Sequence, residues 1–521
     1  MNKILSEKIR EKISSALKEM NYSPGNNWQV YASDKSMHGH YATNVSMILA
    51  KSSKQSPMKL AEALAQKMKN DFEIKVVSPG FVNFFLTPEQ LNQAWQEFLV
   101  SGNTQIKANN PLKIQIEFVS ANPTGPLTLG NGRGGFFGDV LGNILAKVGH
   151  EITKEYYIND AGFQLQRLGE SILGLSDASY RGEYIDNLRS IIKTKDVIKA
   201  GQQAADHILE NMIKPDIKKM GLKFDVWFSE RKLYQDGLVE KTLQQIKEKK
   251  LSEKKDGAIW LKTTQFGDEK DRVLVKATGE MTYLMTDLAY HINKFERGFD
   301  RVIDIWGADH QGHIAPLKQG LEALGERSKQ LEVLITQWVK VIKGGKEVLM
   351  SKRKGEYVTI AELIEEVGLD AVRYFFLSRS LNSHLNFDFD LAIKKSSDNP
   401  IYYIQYAHAR ISSILRKMDI SENEIDCKNN FILDHPSELN LMTELLHYPE
   451  IIMNISKNYE VHKLPQYAYN LASAFHCFYR DCPIVNSEAL RQEPRLKLLI
   501  STKKILKESL SLMGISAPDK M

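Results

Sequence analysis

The sequence predicts an α/β protein in three parts: a small α/β domain over residues 1–108, a parallel-sheet domain over 109–396 and an all-α bundle over 397–521. An alternating run at 112–118 leads into a glycine-rich turn and then a segment with helical apolar spacing. Strand and helix signals continue to alternate to about residue 380, which favours a parallel sheet. Strand signals nearly vanish from Ser397 onward, which favours a helical bundle.

Composition indicates a chain of ordinary globular character. Its 521 residues correspond to roughly three to four domains, with 42% apolar and 26% charged residues. The net charge of +5 is compatible with an RNA partner but is weak support for one. No apolar run has the length of a membrane span, so we expect no membrane partner. The three cysteines form no framework, which favours reduced thiols and a cytoplasmic location.

The first part combines helix and strand patterns. Ile9, Ile13 and Leu17 give the first helix one apolar face, and a second helix is predicted over Pro57–Met68, which opens with proline. Two runs rich in β-branched and aromatic residues, 74–77 and 80–86, are predicted to be strands. These elements predict the small α/β domain.

The middle part contains six candidate strands. They are Leu112–Phe118, Ile152–Ile158, Ala258–Leu261, Val273–Val275, Arg301–Ile305 and Val333–Gln337. A long, charged and mostly helical segment at about 161–255 separates two halves of this series. That arrangement predicts a Rossmann-type sheet with a helical insertion, whose ligands lie in the crevice at the carboxyl ends of the strands.

The last part begins with a helix start at Asn399-Pro400, a cap residue followed by proline at the first helical position. The helix carries Arg410, Arg416 and Lys417. Such a basic face can bind phosphates, although a solvated helix face has the same composition. An acidic loop at 421–426 separates this helix from the next.

The strand at 112–118 ends in a glycine-rich turn that opens a helix. A helix N-terminus presents free N–H groups and a positive dipole, and glycine lets a ligand approach the backbone. This corner is therefore a candidate phosphate site. Glycine-rich turns are common, so the pattern alone leaves phosphate binding open.

The residues of this corner are more specific than its pattern. The run SANPTGPLTLGNGRGG resembles the signature of class I aminoacyl-tRNA synthetases, and most closely the SANPTGPLHVGHGRG form of the arginyl enzymes. Thr128-Leu-Gly-Asn131 occupies the place of the His-x-Gly-His of that family, so both histidines are replaced. The segment 38–44 with SPGFVNFFL resembles the added N-terminal domain of the family, and the final GISAPDKM resembles its anticodon-binding domain.

The resemblance implies an ATP site built from three segments. Thr128, Gly130 and Asn131 belong to the first. Gly307, Asp309 and His310 belong to a turn after a predicted strand, where an acidic residue suits ribose hydroxyls. The third is Val348–Gly355, which resembles the mobile Lys-Met-Ser-Lys-Ser loop and supplies Met350, Ser351 and Lys352. Thr128, Asn131 and Lys352 are the expected catalytic residues; a solvated basic loop is the alternative for the third segment.

An arginine substrate needs an anionic clamp, because its guanidinium is planar and permanently charged. Tyr283 and Asp287 lie four residues apart, so they share one face of a predicted helix. By resemblance, Glu117, Asn122, Tyr283 and Asp287 match arginine-binding positions of the family, and we expect Ser120 and Asp309 to join them. The structural alternatives are a strand-end acid for Glu117 and a first-turn helix acid for Asp287.

The resemblance implies arginine–tRNA ligase activity. Arginine is activated with ATP and transferred to the 3′ adenosine of tRNA(Arg), releasing AMP and pyrophosphate; Mg²⁺ accompanies the nucleotide, the protein supplies no metal site of its own, and tRNA is needed before the adenylate forms. We expect a monomer. Two alternatives stay open: another class I synthetase, because the Thr-x-Gly-Asn form looks like one seen in tryptophanyl enzymes, and a tRNA-binding relative that has lost activation.

Overall fold

The computed structural model describes residues 4–25, 27–33, 38–101, 106–175, 179–325, 327–348, 358–420, 433–484 and 489–521. They form two units. The first joins the N-terminal region up to residue 107 to the C-terminal region 396–511 and 516–521, and the second contains 108–395 with 512–515. Across these described ranges, no helix combines the length and the apolar character that a bilayer span requires. The predicted domain boundaries and insertion limits stay predictions.

The N-terminal region contains a four-stranded antiparallel sheet in the order β1-β2-β4-β3. Its buried residues include Trp95, Val82 and Phe84. The helix predicted at 57–68 and the two predicted strands are confirmed. The elements are α1 (Leu5–Glu19), β1 (Val30–Ala32), β2 (Tyr41–Thr43), α2 (Val45–Ser53), α3 (Pro57–Met68), β3 (Glu73–Val77), β4 (Phe81–Phe85) and α4 (Pro88–Ser101).

The second unit is built on a five-stranded parallel sheet. The elements in its first half are β5 (Lys113–Glu117), α5 (Leu129–Lys147), β6 (Glu151–Ile158), α6 (Phe163–Ile172), α7 (Glu183–Ile191), α8 (Val197–Ile208), α9 (Lys214–Lys219), β7 (Val226–Ser229), α10 (Glu230–Gln235) and α11 (Leu238–Glu248). A short π-helical turn, Leu209–Ile213, joins α8 to α9.

The second half completes the sheet and adds two smaller ones. Its elements are β8 (Ser252–Lys255), β9 (Ala258–Leu261), β10 (Arg272–Val275), α12 (Tyr283–Glu296), β11 (Arg301–Gly307), α13 (Ile314–Leu324), β12 (Leu331–Thr336), β13 (Val339–Lys343), β14 (Lys346–Val348), α14 (Ile360–Val367), α15 (Leu369–Leu377), β15 (Leu385–Asp388) and α16 (Phe389–Ala392). The parallel sheet has the order β12-β11-β5-β6-β7, so β5 is its central strand.

One expectation about this sheet was wrong. The predicted strands 258–261 and 273–275 are β9 and β10, but they belong to a separate antiparallel sheet in which β9 pairs with both β10 and β8. The link between them is too short for the crossover that parallel neighbours need, so they pair antiparallel. The segment predicted as a helical insertion also contains β7, which forms the edge of the parallel sheet beside β6. Four residues, VWFS, are too few to register as a strand within a helical pattern.

The central strand β5 presents different chemistry to its two faces. On one face, α5 packs so closely that a Cβ on Gly138 would lie 2.4 Å from the Phe118 ring, so only glycine fits there. On the other face, Glu117 meets a lysine of α12. The apolar face anchors the sheet, and the polar face opens toward the candidate site.

The C-terminal region is helical, as predicted. It contains α17 (Pro400–Lys417), α18 (Pro436–Asn458), α19 (Lys463–Asp481) and α20 (Ala489–Leu512). The Asn399 side chain accepts a hydrogen bond from the Ile401 N–H at 3.2 Å, which confirms the predicted helix start. The acidic loop at 421–426 lies outside the described residues.

Buried hydrogen bonds join the two ends of the chain within the first unit. The Ser6 N–H donates to the Glu450 carboxylate at 2.9 Å. The Asn92 amide donates to the Leu433 carbonyl at 2.8 Å and accepts from the Leu433 N–H at 2.9 Å. The N-terminal sheet region and the C-terminal bundle are therefore packed as a single unit, although the middle of the chain separates them in sequence.

Candidate active site

The chain turns sharply where β5 ends. Val119 and Ser120 have φ values of 67° and 37°, a region that a β-branched residue such as valine rarely adopts. Two tyrosines of β6 hold the turn: the Tyr156 hydroxyl bonds both the N–H and the carbonyl of Ala121, and the Tyr157 N–H donates to the Ser120 hydroxyl at 3.1 Å. Backbone strain of this kind concentrates at functional sites.

The two residues that replace the family histidines form a capping box at the start of α5. The Thr128 N–H and hydroxyl donate to Asn131 Oδ1 at 2.9 and 2.8 Å, and the Asn131 N–H donates to the Thr128 hydroxyl at 3.4 Å. This pair fixes the helix N-terminus that the sequence predicted as a phosphate site. The Asn131 amide nitrogen has no hydrogen-bond partner among the described residues, so it is the free donor of the pair.

A buried ionic network lies under the turn. Lys294 on α12 is fully buried and donates to Glu117 at 2.6 Å and to Asp304 on β11 at 2.8 Å. His291 is 2.6 Å from the second Asp304 oxygen. Burial acts to raise the pKa of Asp304, but the attraction of Lys294 and His291 outweighs it and lowers the pKa to about 2. Burial raises the pKa of Glu117, which Lys294 offsets only in part.

A second ion pair flanks this network. Arg297 makes two hydrogen bonds to the buried Glu155 carboxylate, at 2.6 and 2.9 Å, and the Tyr290 hydroxyl donates to Glu155 at 2.5 Å. Glu155 lies opposite Glu117 in the register of β6 and β5. The two carboxylates are therefore adjacent; Arg297 pairs with Glu155, and Glu117 shares Lys294 with Asp304.

A cavity of about 240 Å³ opens beside the first turn of α12. Tyr283 and Asp287 both line it, so the predicted shared face is confirmed. Burial raises the pKa of Asp287 to about 6, and Glu117 and Asp304 add repulsion. The remaining lining residues are Arg272, Val273, Thr282, Leu284, Gly312, His313 and Pro316.

Sequence reasoning missed one acid near this cavity. Glu230, the first residue of α10, is 4% exposed, and one of its carboxylate oxygens is buried without a hydrogen-bond partner among the described residues. Burial, with repulsion from Asp287 and Asp160, raises its pKa to about 8. The available signal was an acid immediately after a strand end, but β7 itself was not predicted.

The turn after β11 places the predicted ribose-binding residues on the surface. Asp309 and His310 lie in the helical turn Ala308–His313, with 65% and 58% of their side chains exposed and His310 Nε2 3.4 Å from Asp309 Oδ2. A Cβ on Gly307 would lie 2.5 Å from Asp309 Oδ1, so a larger residue there would displace the Asp309 carboxylate from its present position. Asp309 is thus accessible to a hydroxyl ligand, and no bond joins it to the buried network.

Met350, Ser351 and Lys352 lie outside the described residues. The segment that follows them, which begins at residue 358, contacts the start of α5. The Ile360 N–H donates to the Leu127 carbonyl at 3.2 Å, and Thr359 forms a β-bridge with Thr128. A Cβ on Gly132 would lie 2.6 Å from the Ile360 side chain, so close approach requires glycine there.

Arg133, one turn into α5, fixes another neighbouring segment. It is 1% exposed and donates to the carbonyls of Gln337 at 3.0 Å and Ser380 at 2.8 Å. Burial lowers its pKa to about 10. Because its hydrogen bonds in the described structure are to backbone carbonyls, Arg133 locks α5 to the connection between β12 and β13.

The predicted arginine-binding residues do not all lie at the cavity. Asp287 and Tyr283 line the cavity, whereas Glu117 is not among its lining residues but is electrostatically coupled to Asp287. Ser120 and Asn122 belong to the strained turn: the Ser120 hydroxyl is used by the backbone of β6, and the Asn122 carbonyl accepts from the Thr124 N–H at 2.7 Å. Their roles in arginine binding stay predictions.

The first unit carries a separate surface of exposed and half-buried aromatic side chains with one arginine, here called the aromatic face. It lies along α17 and α19. Tyr406 stacks on His476 with ring centroids 5.9 Å apart, and Arg410 donates to the Tyr479 hydroxyl at 2.9 Å. Tyr406 and Tyr479 are 40% and 37% exposed. The face comprises Tyr403, Tyr406, Arg410, Tyr469, His476 and Tyr479.

Comparisons with known proteins agree with this architecture. The chain matches three family models: arginyl tRNA synthetase N terminal domain over residues 7–86, tRNA synthetases class I (R), catalytic domain over 181–376, and DALR anticodon binding domain over 404–521. The cavity at Tyr283 and Asp287 thus lies in the part of the chain that matches the class I catalytic domain, as do strands β7, β11 and β12 of the parallel sheet. Strands β5 and β6 and the capped α5 precede the matched residues.

Curated relatives make the assignment specific. The chain is 39% identical to an arginine–tRNA ligase of Caldanaerobacter subterraneus subsp. tengcongensis, covering 99% of this chain and 98% of the relative, and 41% identical to that of Carboxydothermus hydrogenoformans, covering 93% and 92%. The chain belongs to the arginine–tRNA ligase family. The fold also matches arginyl-tRNA synthetases from Thermus thermophilus and Plasmodium falciparum, with TM-scores of 0.78 and 0.79 at 21% and 20% identity, covering at least 99% of each chain.

Proposed function

We propose that this chain is an active arginine–tRNA ligase, which activates L-arginine with ATP and transfers it to the 3′ adenosine of tRNA(Arg). The observation that carries the proposal is the cavity lined by Tyr283 and Asp287, which places an aromatic ring beside a carboxylate that is electrostatically coupled to Glu117 and Glu230. A planar, permanently charged guanidinium is the side chain that such a cavity suits. Membership in the arginine–tRNA ligase family supports the same substrate.

In this proposal the protein works by positioning and preorganised charge, without a nucleophilic side chain. The carboxylate of arginine attacks the α-phosphate of ATP, and pyrophosphate leaves. The N-terminus of α5, fixed by Thr128 and Asn131, holds phosphate oxygens, and the free amide of Asn131 donates to them. Lys352 follows the charge that develops on the pyrophosphate. The accessible Asp309 accepts from the ribose.

Mg²⁺ is proposed to enter with the nucleotide. Within the described ranges, no group of three or more His, Cys, Asp or Glu side chains is arranged to hold a metal ion. Mg²⁺ commonly keeps several waters and binds through substrate phosphates, so the triphosphate itself suits it. When bound, the ion would neutralise the phosphate oxygens.

The tRNA is proposed to engage the aromatic face as well as the catalytic unit. Exposed tyrosines accept stacking from unpaired bases, and Arg410 adds a cation beside them. The match of this region to an anticodon binding domain supports that placement. We also propose a monomeric and cytoplasmic protein, as expected from the sequence.

An aminoacylation assay tests the proposal. The purified chain is incubated with ATP, Mg²⁺, bulk bacterial tRNA and each of the 20 amino acids in turn. We expect esterification of tRNA by arginine alone. Charging with tryptophan would support the alternative that the chain is another class I synthetase, which family membership argues against. Firm tRNA binding without any charging would support a tRNA-binding relative that has lost activation.

A further inference from the structure

One carboxylate, Asp287, lines the proposed arginine pocket, and two more, Glu117 and Glu230, are electrostatically coupled to it. Glu117, Asp287 and Glu230 are mutually coupled or joined through a common neighbour, and of these Glu117 has Lys294 as its ion-pair partner. Lys294 is shared with Asp304, so it offsets only part of the charge. The cationic side chain in the cavity lining, Arg272, is bound to Asp268 at 2.7 and 2.8 Å.

Glu230 is the least compensated of these carboxylates. Asp287 of α12 and Asp160 after β6 both repel its charge. The other titratable groups that face it, Tyr157 of β6 and Tyr234 of its own helix, are neutral phenols whose pKa values burial raises further. Helix α11 packs on α10, and its buried residues Val239 and Leu243 are apolar, so neither supplies a charge to Glu230.

The nearest cation along the chain does not reach Glu230 either. The Arg231 guanidinium is held by Asp160 at 2.8 Å and by Asp206 of α8 at 2.9 Å. Asp160 also accepts from the Ser229 hydroxyl and the Arg231 N–H, so its own charge is well satisfied. Glu230 retains one buried oxygen without a partner among the described residues.

A buried carboxylate without a counter-ion takes up a proton in preference to remaining charged. In a set of coupled acids the proton resides on the group that is hardest to ionise. Asp287 loses its proton first, and the resulting charge then opposes ionisation of Glu230. A guanidinium never gives up its own proton near neutral pH, so its arrival supplies the missing positive charge.

We propose that the empty pocket carries a proton on Glu230 and that binding of arginine expels this proton to solvent, which makes Glu230 a specificity-determining residue that selects a permanently charged side chain. This inference rests on the proposed function, since it assigns the same cavity to arginine. A neutral analogue of the same shape, such as citrulline, cannot supply the charge that replaces the proton. Discrimination between arginine and citrulline should therefore increase as pH rises.

Isothermal titration calorimetry tests the exchange. Arginine is titrated into the full chain with tRNA(Arg) present and ATP absent, between pH 6.5 and 8.0, in phosphate and in Tris buffer. The difference in heat between buffers gives the number of protons released. We expect a substantial fraction of one proton near pH 7, with arginine Kd falling by up to about tenfold per pH unit and levelling above pH 8. Citrulline should release none.

Two variants locate the proton. Glu230→Gln keeps the size of the side chain and cannot ionise, so it should bind arginine with little proton release. Glu240→Gln removes an exposed acid from the neighbouring α11 and should behave as the unmodified chain does. Release that persists in Glu230→Gln would assign the proton to another group and overturn the inference.

If Glu230→Gln does not fold, the calorimetry of the unmodified chain still tests the inference. Arginine binding without proton release by a chain that charges tRNA with arginine would overturn the exchange and leave the proposed function intact. Citrulline binding with the same proton release as arginine would also overturn it. Absence of both arginine binding and arginine charging would instead refute the proposed function.

Discussion

At the scale of single residues, the charge distribution of the candidate site depends on which carboxylates are paired with cations. Glu117 and Asp304 share the buried Lys294, whereas Asp287 lines the cavity, where its charge is less compensated. Buried ion pairs contribute little net stability because desolvation offsets their attraction, so geometry is the better explanation for the network. It holds the Glu117 carboxylate in one orientation at the end of β5.

Asp287→Ala should impair the use of arginine far more than the use of ATP. The change removes the carboxylate proposed to meet the guanidinium, and losing a charged hydrogen-bond partner costs about 1.5–3 kcal/mol, or roughly 10- to 100-fold in kcat/KM for arginine. Steady-state kinetics with each substrate varied in turn measures this. Glu296→Ala, on the same helix but paired with Lys241 at the surface, is the matched control. An unchanged arginine KM in Asp287→Ala would contradict the clamp.

Glu230→Gln should make the protein more stable relative to the unmodified chain as pH rises. The pKa of Glu230 is raised to about 8 by burial, so the unfolded chain loses this proton near its ordinary pKa while the folded chain retains it. Folding stability therefore falls between about pH 4.5 and pH 8. The glutamine variant lacks this loss, which is on the order of a few kcal/mol. Urea unfolding at pH 5 and pH 8 compares the two; a constant difference would contradict the assignment.

At the scale of elements, glycines set how closely helices approach their neighbours. Helices α6 and α8 are in backbone contact: a Cβ on Gly169 would lie 1.9 Å from the Val197 carbonyl, and one on Gly201 would lie 2.0 Å from the Leu165 carbonyl. No side-chain rearrangement relieves a clash with backbone. The two helices must therefore separate if either glycine is replaced.

Gly169→Ala should destabilise the protein by about 2 kcal/mol or more, because the helix pair has to move apart. Gly134→Ala is the matched control on another helix. A Cβ there would meet the Ile305 side chain at 3.5 Å, an ordinary contact, and alanine gains helix propensity. Thermal unfolding of both variants gives the comparison, and equal melting temperatures would show that α6 and α8 are not so tightly packed.

The capping box at α5 makes a related prediction about the replaced histidines. Changing Thr128 and Asn131 together to histidine removes a cap whose loss costs about 1 kcal/mol. Histidine gains a proton near pH 6.5, so activity should change modestly and acquire a new pH dependence below neutrality. Aminoacylation rates from pH 5.5 to 8 measure this. A native chain without activity and a strongly active double variant would mean that the site is degenerate.

At the scale of the whole molecule, substrate chemistry and the aromatic face lie in different units. Tyr406→Ala removes a stacking platform on α17, so we expect the KM for tRNA to rise by roughly 10-fold while the KM for arginine is unchanged. Aminoacylation kinetics at varied tRNA concentrations tests this. Tyr22→Ala, which removes a half-buried tyrosine of the N-terminal region hydrogen-bonded to Gln55, controls for the general effect of losing an aromatic ring. A change in arginine KM alone would contradict the division of labour.

Much of this architecture could be predicted from the sequence because its signals are local. The alternation at 112–118 and the spacing at 283 and 287 depend on periods of two and about four residues, and both were confirmed. The membership of strands in sheets was less predictable. Strand β7 is short and follows helices, and β9 and β10 look like parallel strands until their pairing is known.

The acid Glu230 could not be found by these means. Its place near Asp287 depends on β7 pairing beside β6, which brings together residues from distant parts of the sequence. The unusual burial of Lys294 likewise has no local signature, since a lysine in a helix is ordinarily solvated. Long-range pairing therefore determined the part of the site that sequence reasoning missed.

The joining of the two chain ends in the first unit has a consequence for synthesis on the ribosome. The Ser6 N–H finds its partner 444 residues later in the chain, at Glu450. At roughly 5–20 residues per second, that partner emerges some 20 to 90 s after the donor. The second unit is contiguous apart from its last few residues, so it can fold while translation continues. The N-terminal region instead keeps unpaired groups, such as the Ser6 N–H, until synthesis of the chain is nearly complete. Chaperones are most needed during that interval.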